Sequence, residues 1–142
     1  MFATSVTRNG EAEVLDNLGS TRHGQGRHEQ AAGHHRQALA LSRELGDRRG
    51  ETDALNGIGE ALNALGRTGQ ARAQHHDALT VSSQVGDPYL EARSHNGLAG
   101  TSHTAGDLDQ ARHHWDRARA LYTSLGVPEA QQVTSIHGLE LA

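Results

Sequence analysis

The amino-acid sequence repeats itself every forty residues, and this repeat constrains the fold more than any other feature. Turn glycines recur at the same point of each unit, at Gly26, Gly66 and Gly106. A second set with the same spacing closes the units: Gly46, Gly86 and Gly126. A period of this length is typical of stacked-repeat proteins, in which each unit buries its apolar face only against its neighbours. Because such proteins act by presenting a surface, the repeat favours binding over catalysis.

Each unit contains two stretches with the spacing of an amphipathic helix. In the first unit, the apolar residues within 14–18 and those within 31–45 follow a three-and-four spacing on either side of the Gly26 turn. Gly46 then suits the left-handed position that ends a helix. Pro88 lies two residues after the equivalent Gly86, where proline fits either a stop or a first helical turn.

These patterns predict an all-α fold, a right-handed superhelical stack of antiparallel helix hairpins with about seven helices. The length of 142 residues corresponds to one domain. Its predicted parts are a frayed N-terminus over residues 1–9, units over 10–47, 50–87 and 90–127, and a capping helix over 129–142.

The spacing within each unit resembles the tetratricopeptide repeat, which has a Leu-Gly pair in its first helix and small residues in its second. The pair is Leu18-Gly19, Ile58-Gly59 and Leu98-Ala99. The small residues are Ala31 and Ala38, Ala71 and Ala78, and Ala111 and Ala118. The aromatic slot of the second helix holds His35, His75 and Trp115. The tyrosine slot of the first helix departs from the family, because it holds Arg22, Leu62 and Ser102.

The stretch from Ala38 to Gly59 shows a narrower resemblance. This stretch is similar to the C-terminal repeat arrays of large actinobacterial antibiotic-pathway transcription regulators. The resemblance implies an interaction role in transcriptional or biosynthetic-pathway regulation, and the chain fits either a whole protein or a piece of such a regulator. Because the chain contains no lysine, it has no Gly-x-x-x-x-Gly-Lys phosphate loop, so nucleotide binding is not implied.

Composition narrows the possible partners and the cellular location. The net charge of −4 provides no basic footprint for nucleic acid. No apolar run approaches membrane-spanning length, and no signal-peptide core follows the N-terminus. The absence of cysteine suits a reducing compartment. We therefore expect a cytoplasmic protein that binds neither nucleic acid nor membrane.

In such arrays the first helices line the concave face, so their exposed polar residues are the candidate ligand contacts. Alignment of the units gives the set Asp16, His23, Asp53, Asn56, Glu60, Asn63, Arg93, Asn96 and His103. Its excess of acid, with Glu13 on the same face, favours a basic segment. The two Asn amides of Asn56 and Asn96 can donate to and accept from a peptide backbone, and Arg93 can fork onto a carboxylate. Polar residues on a solvated helix face need no ligand, so this assignment is a hypothesis.

Eleven histidines raise the question of a metal site, but no two are three or four residues apart. Adjacent pairs such as His113-His114 point about 100° apart on a helix, which is poor for chelation. We therefore predict no metal site and no cofactor. His35 and His75 instead are expected to be buried in the aromatic slot, with a ring nitrogen bonded nearby, so that acid loosens the stack.

Three functions fit these observations. The first is a scaffold whose concave face binds a protein or peptide segment. The second is a self-associating module that forms a homodimer, and the third is a small-molecule binder or enzyme of a biosynthetic pathway. No nucleophile elbow, zinc-protease motif or phosphate loop occurs in the sequence, so we predict the first function and no enzymatic activity.

Overall fold

The computed structural model describes the backbone of residues 2–131, and the side chains of Arg8 and of residues 10–131. Within this range the fold is all-α, as predicted, and contains no strand. The helices are α1 (Phe2–Gly24), α2 (His28–Leu45), α3 (Arg48–Ala64), α4 (Thr68–Val85), α5 (Pro88–Thr104) and α6 (Leu108–Leu125). The predicted capping helix over 129–142 lies almost entirely outside the described residues.

Helix α1 begins earlier than the repeat pattern suggests. The sequence indicated a frayed segment over residues 1–9, whereas the backbone is helical from Phe2 onwards. The chain has no proline before Pro88, and Gly10 does not adopt a positive φ, so nothing interrupts the helix there. An ion pair between Arg8 and Glu44 connects this extension to α2.

Helix ends repeat the same chemistry from unit to unit. The second helices end at glycines with φ of 69°, 75° and 67°, which confirms the predicted left-handed caps at Gly46, Gly86 and Gly126. Asp47 and Asp87 begin the next first helices, because their carboxylates accept hydrogen bonds from the backbone N–H groups of Gly50 and Leu90 at 3.0 and 3.1 Å. Pro88 occupies the first turn of α5.

The stack curves because its two sets of helices pack differently. Each helix packs against the next one along the chain, and the first helices also contact one another, α1 with α3 and α3 with α5. The second helices of successive units make little direct contact. The first helices therefore lie on the inner, concave side of the stack, and the second helices lie on the outer side.

Two buried imidazoles lie between glycines of successive first helices. His35 and His75 are 2% and 1% exposed, which confirms their predicted burial. A Cβ atom added at Gly59 or Gly97 would lie 2.5 or 2.2 Å from the His75 ring. Gly19 and Gly57 stand in the same relation to His35, at 2.7 and 2.5 Å. Each ring therefore fills a space that exists only because neither helix carries a side chain there.

Replacing Gly97 with Ala should destabilise the protein by about 2–3 kcal/mol, because the new methyl group would displace the packed His75 ring. Gly100→Ala provides a matched control on the same helix, since nothing lies within 4 Å of a Cβ atom there. That variant should be about 0.5–1 kcal/mol more stable than the unmodified chain. Urea unfolding of the two variants measures the difference. Equal stabilities would show that the ring does not need the glycine.

Candidate functional site

The structure divides the nine candidate residues into groups with different environments. Asp16 and Asn56 are hydrogen-bonded to buried histidines. Asp53, Glu60 and Arg93 form one ion-pair cluster. The remaining four lie apart from these two groups: His23, Asn63, Asn96 and His103.

Asn56 is a core residue, so its predicted role as an exposed ligand contact is wrong. Its side chain is fully buried. The amide nitrogen donates to Ser94 Oγ at 3.0 Å, and the amide oxygen lies 2.8 Å from His75 Nδ1. Since that oxygen can only accept, His75 carries its proton on Nδ1 and donates. The Ser94 hydroxyl donates onward to the Leu90 carbonyl oxygen at 2.9 Å. This chain of bonds links units two and three through the core.

Asp16 occupies the equivalent position in unit one and plays a similar role. Its carboxylate lies 2.6 Å from His35 Nδ1, and 23% of the Asp16 side chain is exposed. The carboxylate therefore holds the buried ring with one oxygen and faces solvent with the remainder of its surface. Asp16 is accordingly available to a ligand only in part.

The third unit breaks this pairing. Trp115 replaces histidine in the slot and is 6% exposed, which confirms its predicted core position. Asn96, the counterpart of Asp16 and Asn56, is half-buried, and its side chain makes no hydrogen bond to a described residue. Of the three equivalent residues, Asn96 therefore retains its amide for a ligand.

Arg93 joins α5 to α3 and does not stand free for a ligand carboxylate. Its guanidinium donates to Asp53 at 3.0 Å and to Glu60 at 2.9 Å. Burial of Arg93 disfavours its charge, but the attraction of Glu60 and Asp53 outweighs this effect and raises its pKa. Burial also raises the pKa of Asp53, against the attraction of Arg93. The sequence prediction that Arg93 offers an available positive charge is therefore wrong, because both of its terminal nitrogens already donate to carboxylates of α3.

Three further candidates lie near the turns between first and second helices. His23 Nδ1 lies 3.0 Å from His28 Nδ1, and burial lowers the pKa of His23. Asn63 contacts Thr104 Oγ1 and Thr68 Oγ1, each at 3.4 Å. The His103 ring centroid lies 5.6 Å from that of Trp115. These residues lie at the C-terminal ends of the three first helices and do not converge on a common centre.

A groove between α1 and α3 brings together the charged residues at the other end of the first helices. Its volume is about 410 Å³, and its lining contains four acidic residues and one basic residue: Glu13, Asp16, Asp47, Asp53 and Arg49. We call this the acidic groove. Asp47 caps α3, and Arg49 pairs with Asp87. Glu13 is exposed and makes no ion pair with a described residue.

Asp47 and Arg49 line the groove, although neither is among the contact residues predicted from the sequence. Both lie just outside the apolar stripe used to align the first helices. The Asp-Arg-Arg run after Gly46 was a usable signal, because a helix start places its first-turn side chains at the mouth of the groove between units.

Two further properties concern the described residues alone. Among them, no three His, Asp or Glu side chains are arranged to hold a metal ion. None of the helices in residues 2–131 has the length and hydropathy that a membrane-spanning segment requires.

The repeat geometry agrees with comparisons of the sequence to protein families. Two tetratricopeptide repeat profiles match the chain, one over residues 14–49 and the other over residues 50–124. The chain belongs to the tetratricopeptide repeat family. Repeats of this family generally act as scaffolds for protein–protein interaction. No curated protein sequence matches the chain.

Solved structures of low sequence identity share the fold. The tetratricopeptide repeat domain of Arabidopsis FLU aligns at a TM-score of 0.75 and 23% identity, over 82% of this chain and 98% of that one. BtubC from P. vanneervenii aligns at 0.82 and 19%, over 97% of this chain and 57% of that one. The apo form of RapI aligns at 0.77 and 14%, over 89% of this chain and 35% of that one.

Acid should destabilise the stack through His75. Burial lowers the pKa of His75 to about 4, against the attraction of Glu60. In the unfolded chain a histidine takes up its proton near pH 6.5, whereas folded His75 stays neutral down to about pH 4. Stability is therefore complete above about pH 6.5 and falls as the pH decreases towards 4, by about 3 kcal/mol from this group. Chemical unfolding at a series of pH values measures the loss.

The Asn56→Asp variant separates the contribution of His75 to the acid-induced loss of stability from the contributions of other titrating groups. A carboxylate beside the ring favours the protonated imidazole. The variant should therefore lose less stability than the unmodified chain between about pH 6.5 and 5. Parallel profiles would contradict a neutral, desolvated His75.

Proposed function

We propose that this chain is a non-enzymatic scaffold whose acidic groove binds an extended, basic segment of a partner protein. The proposal includes a role in transcriptional or biosynthetic-pathway regulation, in the cytoplasm. That context is supported by the resemblance between residues 38–59 and the repeat arrays of actinobacterial regulators. The binding role is supported by the family and by the geometry of the groove.

The observation that carries the proposal is the charge of the acidic groove. Its lining contains four carboxylates and one guanidinium, which is already paired with Asp87, and one of the carboxylates, Asp53, is paired with Arg93 of α5. Each carboxylate offers two oxygens, and the internal contacts of Asp16, Asp47 and Asp53 each use one of them. Acceptor capacity and negative charge thus remain for Lys or Arg side chains of a ligand.

Backbone recognition would come from the amides along the same face. Asn17 lines the acidic groove, and Asn96 is the counterpart, two units along the chain, of the groove residue Asp16. An amide can donate to a peptide carbonyl and accept from a peptide N–H, which suits an extended segment of varied sequence. In this arrangement the carboxylates select for positive charge, and the amides hold the ligand backbone.

The proposal that the chain is not an enzyme is supported by how its histidines are arranged. His35 and His75 are buried against glycine backbones, so no substrate can reach them. The pairing of Asp16 with His35 has the composition of an acid–base dyad, but its ring is only 2% exposed. A general base must come within hydrogen-bonding distance of the proton that it removes.

Glu13→Lys tests the groove directly. This change places a positive charge among Asp16, Asp47 and Asp53, and should weaken binding of an Arg- and Lys-rich peptide about five- to tenfold. Glu11→Lys is the matched control, since it makes the same charge change on an exposed residue of α1 outside the groove lining. Fluorescence anisotropy with a labelled Arg-Lys peptide gives both affinities. Equal losses of affinity in the two variants would show that the effect comes from net charge alone, and would contradict binding in the acidic groove.

A second candidate function, self-association, is favoured by exposed apolar surface at the end of the stack that α1 forms. Val14 is 65% exposed, whereas its counterparts Ala54 and Ser94 are fully buried against the preceding unit. A second copy covering this end would remove that apolar surface from water. Light scattering over a range of concentrations should then show a dimer that Val14→Glu converts to a monomer. A monomer at every concentration would exclude this function.

A further inference from the structure

The outer side of the stack carries the same groove twice. One groove lies between α2 and α4 and the other between α4 and α6, each with the intervening first helix as its floor. Their lining residues correspond across the forty-residue repeat, for example Arg36 with His76 and Leu39 with Leu79. These grooves exist because the second helices of successive units are splayed apart.

The second of these grooves has a distinct composition. Its floor and sides include Leu79 and Leu98, and its polar lining contains Arg72, His76, His113 and His114 but no acidic residue. We call this the histidine groove. The first groove differs, because it contains Asp77 beside Arg36 and Arg43. Arg43 in turn donates to Glu51 at 3.2 Å. Of these two grooves, the histidine groove is the one that combines an apolar floor with walls that contain only neutral or cationic residues.

The groups packed around the histidine groove reinforce its positive character. Beneath it, His95 of α5 lies with Nδ1 3.0 Å from His114 Nδ1. Burial and the proximity of His114 lower the pKa of His95 to about 4, and burial together with His113 lowers that of His114. Arg72 of α4 and Arg117 of α6 act on this pair in the same direction. These neighbours disfavour protonation of His95 and His114. A ligand carboxylate placed beside these rings would offset that effect.

We propose that the histidine groove is a second docking site, which binds an acidic protein segment with its apolar side chains on Leu79 and Leu98. Arg72 supplies the fixed charge, and a ligand carboxylate beside His114 favours the protonated form of that ring. Binding should therefore strengthen on mild acidification. This site lies on the outer side of the stack and has the opposite charge preference to the acidic groove, so it does not depend on the proposed function.

The composition of the groove favours a protein segment over nucleic acid. Nucleic-acid sites need several fixed positive charges to replace counterions along the phosphate backbone. The histidine groove has one arginine in its lining, and its apolar floor suits aliphatic side chains. An amphipathic acidic segment satisfies both features, since it offers carboxylates to the walls and leucine-like side chains to the floor.

The test uses the full chain and a labelled peptide of repeated Glu-Glu-Leu units, with its Gln-Gln-Leu analogue as the uncharged control. Anisotropy is measured at about pH 8 and about pH 6 at constant ionic strength. The Glu peptide should bind at least about fivefold more tightly at the lower pH, and the Gln analogue should not. Arg72→Glu should weaken binding of the Glu peptide about fivefold or more.

Arg112→Glu is the matched control, because Arg112 is exposed on the same side of the stack but does not line the groove. It should change the affinity by less than about twofold, and Glu13→Lys should not weaken it. Circular dichroism melting checks that each variant is folded. Failure of the Glu peptide to bind, equal effects of Arg72→Glu and Arg112→Glu, or equally tight binding of an oligonucleotide of the same charge would each overturn the proposal.

Discussion

The stack depends on the close approach of successive first helices around a buried imidazole. Glycines on both sides of His35 and His75 allow this approach, because a methyl group at any of the four positions would overlap the ring. Each ring is also held by a side chain nineteen residues earlier, Asp16 or Asn56. Packing and hydrogen bonding thus fix the same arrangement of successive first helices around each ring, which we call the histidine joint. This joint sets the curvature of the inner face.

This joint determines which polar residues remain for a partner. Asn56 is used entirely within the core, and Arg93 is shared between Asp53 and Glu60. Ion pairs and side-chain hydrogen bonds that connect units thereby make several of the predicted ligand contacts unavailable on the inner face. The positions that remain are Asn96 and those at the mouth between α1 and α3, where Glu13 makes no ion pair with a described residue. The surface available for recognition is consequently acidic at one end of the array.

The period and its glycines were sufficient to predict the helix pairs, their turns and the left-handed caps, because these features depend on neighbours within a few residues. Burial of Asn56 was not predictable in the same way, since it arises from how closely α3 approaches α5. One signal was present in the sequence: an Asp or Asn stands nineteen residues before each slot residue, and the pairing ends where Trp115 replaces histidine. The occupation of Arg93 depends likewise on spacing between units, which a linear pattern does not contain.

A neutral His75 imidazole, donating from Nδ1, joins adjacent units through Asn56. Nitrogen-15 NMR of the histidine side chains tests it most directly, because the ring nitrogen shifts report both tautomer and protonation. We expect His75 to show the Nδ1–H tautomer and to remain neutral from about pH 8 to about pH 5. A His75 ring with its proton on Nε2, or one that titrates near pH 6.5, would contradict it.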